Sequence, residues 1–212
     1  MLPLDQAALF YATSALLALV PGPDNLFLLA QSALHGRKAG LSLTFGFSTG
    51  ILFHTLLVIL GVATLIRTSE SAFTVLKLLG ALYLLTLAWQ SYRDSRRTTD
   101  PAPHCPTLSM KSLYRRGILM NASNPKVTLF FLAFLPQFTD PARGSVTGQI
   151  LLLSLLFILN TIVMFGAIAW GAGALKQWLR ERPSAQMVIN RVAAVVLATL
   201  AIQLLLTSTP SL

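Results

Sequence analysis

The sequence is short of charge and of cysteine, and both shortages narrow its chemistry. Lysine, arginine, aspartate and glutamate make up 11% of its 212 residues against 54% hydrophobic, less charge than a water-soluble domain carries. Cys105 is the single cysteine, which excludes an intrachain disulfide, a CxxC redox pair and a thiolate metal site. No HExxH motif or intramembrane carboxylate pair is present to support catalysis, and no cofactor or metal is expected.

What the chain has instead is apolar length. A helix crosses the hydrocarbon layer in about 20 residues. Six segments satisfy that measure: Leu9 to Gln31, Leu43 to Ile66, Ala72 to Tyr92, Gly117 to Phe138, Ile150 to Leu175 and Val188 to Leu206. An all-α membrane protein is the expectation. The first segment lacks a basic n-region and is interrupted by polar residues, so it reads as a retained span rather than a signal peptide.

The net charge of +9 is distributed by loop. Arg37 and Lys38 lie in the first loop, Arg93, Arg96, Arg97, Lys111, Arg115 and Arg116 in the third, and Lys176, Arg180, Arg182 and Arg191 in or beside the fifth. The second and fourth loops hold only Arg67 and Arg143. This alternation places the odd loops in the cytoplasm and both termini outside. The basic surplus is thereby an orientation signal, and no nucleic-acid partner is expected. The stretch RDSRRTTDPAPHCPTLSMKSLYRR, residues 93–116, reads as a cytoplasmic linker between two three-helix halves, 1–92 and 117–212. Three spans is an odd number, so the halves enter the membrane from opposite sides, as inverted repeats do.

Each half opens on a broken helix. In ALVPGPDNLFLL, Pro21 and Pro23 lack N–H groups and release the carbonyls of Leu17 and Leu19. In GILMNASNPKVTLFFLAFLPQF, Pro125 releases the carbonyl of Asn121. Interrupted backbone at membrane depth is tolerated only where protein buries it or where it lines a wet cavity, so the paired breaks point to a midplane binding site. Pro23 suits the first position of a half-helix. Two half-helix N-termini at one site would favour an anionic group. Gly22, Asp24, Asn25, Asn121, Asn124 and Lys126 accompany the breaks. Asp24 and Lys126 are costly in a bilayer and read either as a structural ion pair or as contacts for substrate or proton. The amides Asn25, Asn121 and Asn124 suit freed carbonyls, a zwitterion's two ends, or interhelical bonding.

Gly46, Gly50 and His54 recur every four residues in GFSTGILFH, which puts them on one helix face. The glycines permit close backbone approach, within the chain or to a second copy in a homodimer. His54 reads as an interhelical hydrogen bond or a proton relay, the latter together with Asp24. Trp89, Tyr92, Trp170 and Trp178 fall near helix ends as interfacial anchors.

With those residues in view, the sequence resembles the LysE/RhtB family of bacterial amino-acid exporters. The resemblance rests on VPGPDNLFLLAQSALHGRKAGL, GFSTGILFH, LKLLGALYLL and NPKVTLFFLAFLPQF. Pro21, Gly22, Pro23 and Asn25 match the family's P-G-P-x-N pattern, in which the position of Asp24 also takes Asn or Gln; Asn124, Pro125 and Lys126 match the second motif. The resemblance implies an inner-membrane protein of six segments that moves amino acids or close derivatives outward, driven by proton motive force. Read with the breaks, it suggests alternating access, with Asp24 suited to a substrate's ammonium and Lys126 to its carboxylate. The alternatives are an inorganic cation exporter, for which one intramembrane carboxylate is a sparse site, and a membrane subunit with no transport role.

Overall fold

A computed structural model describes residues 3–20, 22–68, 70–96, 108–181 and 183–206. Pro21, Arg97, Cys105 and Arg182 therefore lie outside the described residues. Every regular element among those described is helical: α1 (Leu4–Leu19), α2 (Pro23–His35), α3 (Arg37–Thr68), α4 (Glu70–Asp94), α5 (Met110–Ala122), α6 (Pro125–Leu129), α7 (Val146–Glu181) and α8 (Pro183–Leu206). Beyond α6 the chain continues through a π-helical turn, Phe130–Phe134, and a 3₁₀ turn, Leu135–Phe138.

Among the described residues, α3, α7 and α8 are long and apolar enough to cross a bilayer. Five spans result if each bent pair counts as one: α1 with α2, bent by 66°, and α5 with the segment through Phe138, bent by 48°. The remaining segment, Ala72 to Tyr92, falls within the 25 residues of α4.

Helix ends differ from those expected wherever capping outweighs hydropathy. The first segment is helical from Leu4 rather than Leu9 and runs to His35 rather than Gln31. It stops there because Gly36 adopts φ 84°, a left-handed conformation suited to glycine, and α3 starts at once with Arg37. The expected linker also proves partly helical. Ser109 accepts a 3.2 Å hydrogen bond from the backbone N–H of Ser112, so α5 begins at Met110, seven residues before Gly117.

The two halves interlock. The principal packing runs between them: α3 on α5, α7 on α1 and α2, α3 on α7, and α4 on α8. One core joins Phe10 of α1 to Phe130, Phe134, Phe138 and Phe157, with ring centroids 5.1–5.8 Å apart in the contacts to Phe10 and among the turns. A second core joins Ala18, Leu28, Leu43 and Phe47 to Leu113, Phe165 and Ala169. In lipid, such packing and interhelical hydrogen bonds, rather than expulsion of water, hold helices together.

Candidate functional site

The bend between α1 and α2 leaves carbonyls without helical donors, and side chains supply them. Lys126 Nζ donates to Leu17 O at 3.1 Å and to Val20 O at 3.2 Å. Asn25 Nδ2 donates to Ala18 O at 2.7 Å. Gly22 caps α2 with extended backbone and has no side chain to bond the first N–H groups. Pro23 takes the first helical position, and Asp24 follows in the first turn, where the helix end favours a negative charge. A β-carbon built on Gly22 would stand 3.7 Å from Lys126 Nζ, in ordinary van der Waals contact, so Gly22 lies against the ammonium.

The second break caps itself. Asn124 Oδ1 accepts from the backbone N–H of Lys126 at 2.9 Å, an N-cap bond. Its Nδ2 donates to Asp24 Oδ2 at 2.6 Å, joining the two breaks across 100 positions of sequence. Asn121 O, the carbonyl that Pro125 releases, accepts from the backbone N–H of Asn124 and from His54 Nε2, each at 2.9 Å. A carbonyl can only accept, so His54 Nε2 carries hydrogen. His54 Nδ1, Asn25 Oδ1 and Asn121 Oδ1 are buried with no hydrogen-bond partner among the described residues.

The two half-helices start alike, and one reading of their charges needs correction. In the fold Gly22, Pro23 and Asp24 correspond to Asn124, Pro125 and Lys126, since each triplet supplies the cap and the first two residues of a half-helix. Asp24 and Lys126 thus occupy equivalent positions with opposite charges. They form no direct ion pair among the described residues. Freed carbonyls in a water-poor interior are costly to leave bare, and one ammonium can serve two of them. Lys126 turns there, Asn124 serves Asp24, and the two charges remain within electrostatic reach, as do Asp24 and His54.

Gly46 and Gly50 face α5 of the same chain. A β-carbon on Gly46 would come within 3.1 Å of the Tyr114 carbonyl carbon, and one on Gly50 would stand 3.0 Å from both Ile118 O and Asn121 Oδ1. The surface that suggested a homodimer is therefore taken up inside the chain. Gly117, which faces Gly46, escaped the sequence reading; its signal was a glycine at the start of an apolar run. Asn160 of α7 is fully buried, and neither end of its amide has a partner among the described residues. A single amide within FILNTIVMF was the cue.

The family model for the LysE type translocator matches residues 15–208. The chain is 33% identical over 165 residues to an uncharacterized membrane protein of Vibrio cholerae, covering 77% of this chain and 79% of that one. It is 31% identical over 182 residues to a homoserine/homoserine lactone efflux protein of Salmonella typhimurium, covering 86% and 87%. A leucine efflux protein of Salmonella choleraesuis is 33% identical over 124 residues, 58% of each chain. No solved structure matches. With its apolar helices and a match along nearly its whole length, this multi-pass membrane protein belongs to the LysE-type translocator family.

Proposed function

We propose that the protein exports amino acids or close derivatives across the bacterial inner membrane, as a proton-coupled secondary transporter working by alternating access. The observation that carries this reading is the meeting of the two breaks. Residues 100 positions apart, Asp24 and Asn124, are hydrogen-bonded in the interior of a membrane protein, beside buried Lys126. Ionisable groups at such a place serve a substrate or proton path by default. The efflux proteins among its relatives supply the substrate class.

Six spans in two inverted repeats, with both termini periplasmic, complete the proposal. Part of the packing supports the repeat: under exchange of the halves, α3 on α7 and α4 on α8 map onto themselves, and α3 on α5 maps onto α7 on α1. The substrate site comprises Pro21, Gly22, Pro23, Asp24, Asn25, Asn121, Asn124, Pro125 and Lys126. His54 and Asp24 form the proton relay, supported by the unpartnered Nδ1 and by their electrostatic contact. Any homodimer would use faces other than that of Gly46 and Gly50.

Counterflow in liposomes tests the function. Vesicles loaded with unlabelled homoserine or leucine should accumulate the labelled amino acid transiently, and a pH gradient should accelerate net movement. Absence of counterflow for every amino acid tried would defeat the reading.

A further inference from the structure

Lys126 is buried, yet its ammonium bypasses the carboxylate within its electrostatic reach and settles on two neutral carbonyls, Leu17 O and Val20 O. A primary ammonium on carbonyls released by a helix break, beside a carboxylate, is the arrangement that a substrate's own α-ammonium would need. We infer that Leu17 O and Val20 O are the ammonium-recognition atoms of the site, and that Lys126 is a tethered stand-in which the substrate displaces. The inference rests on the amino-acid reading above and deepens it.

The exchange balances charge at each stage. Without substrate, the Lys126 ammonium satisfies the freed carbonyls, and the Asp24 carboxylate is held by the Asn124 amide. A zwitterion adds one charge of each sign. Its ammonium takes the two carbonyls near Asp24, and the released Lys126 meets its carboxylate, so no charge is stranded in the low-dielectric interior. The residual contact between Asn124 and Asp24 can persist throughout.

The stand-in also comes from the other half of the chain. Lys126 is the second residue of α6, and the carbonyls lie at the C-terminal end of α1. Loading substrate would therefore cut a tie between the halves and replace it with one through the substrate, which couples occupancy to their relative movement.

The test replaces Lys126 by alanine and supplies the missing group from solution. Melting in detergent is followed with methylammonium, tetramethylammonium or sodium chloride at matched ionic strength. Methylammonium should raise the melting temperature of Lys126→Ala by about 5 °C when near 100 times its Kd. It should leave the wild type, whose position is filled, unmoved. Tetramethylammonium has the charge but no N–H and should do nothing. Equal stabilisation of variant and wild type, or equal effects of tetramethylammonium or sodium, would overturn the inference. If the variant does not fold unaided, methylammonium during expression and extraction should recover monodisperse protein; failure to do so also counts against it. These readouts are independent of transport. Methylammonium rescue without amino-acid counterflow would retain the ammonium site and reject the amino acid as cargo, and the converse would retain the exporter and reject the stand-in.

Discussion

The two helix breaks look alike in sequence and are satisfied in different ways. At the second, Asn124 caps its own half-helix, and Asn121 O has a backbone donor besides His54. At the first, the cap is a glycine, and the carbonyls of Leu17 and Val20 accept from a lysine of the other half. One break is capped by its own asparagine, whereas the other draws donors for two of its carbonyls from the opposite half of the chain. A site that must bind and release cargo needs the second kind, and a site that must present a fixed frame needs the first.

Removing Lys126 should therefore have the largest effect. Lys126→Met leaves two buried acceptors bare and a carboxylate without its nearby cation, a loss of about 3–5 kcal/mol, read from denaturation in detergent. Asp24→Asn in that background should recover the share due to the stranded charge but not that due to the carbonyls. Strictly additive losses would show that the two charges are independent.

Asn124→Ala comes next, because one side chain serves both breaks. It removes an N-cap, which contributes about 1 kcal/mol, and a charge-assisted bond to Asp24 of about 1.5–3 kcal/mol. A loss no larger than that of an ordinary cap would mean that the bridge to Asp24 contributes nothing.

His54→Phe should cost least, about 1 kcal/mol or less, since Asn121 O keeps the Asn124 N–H. Counterflow should persist in this variant while acceleration by a pH gradient is lost. If the gradient still drives transport as in the wild type, His54 is an interhelical bond alone. A stability loss as large as that from Lys126→Met would erase the contrast between the breaks.

Much of this difference lay beyond a reading of the chain. The broken segments, the unusual depth of Asp24 and Lys126, and the shared face of Gly46, Gly50 and His54 were legible, because proline chemistry and helical periodicity act within a few residues. The partner of that glycine face was not. The same small-xxx-small spacing serves a second copy or a neighbouring helix, and α5 takes it here through Gly117, Tyr114 and Asn121. A direct Asp24–Lys126 ion pair, one of the two readings of these charges, is not formed for a similar reason: sequence does not say which acceptor an ammonium reaches first.

By itself the sequence determined that the chain resides in a membrane as helices, and that Leu17 and Asn121 would have carbonyls in need of donors, since a proline withholds its N–H whatever the fold. Tertiary structure alone decided who the donors are. Lys126 Nζ reaches Leu17 O across 109 positions and His54 Nε2 reaches Asn121 O across 67. Covalent geometry fixes what a backbone lacks within one helical turn, whereas the group that makes good the lack depends on which distant helices pack against it.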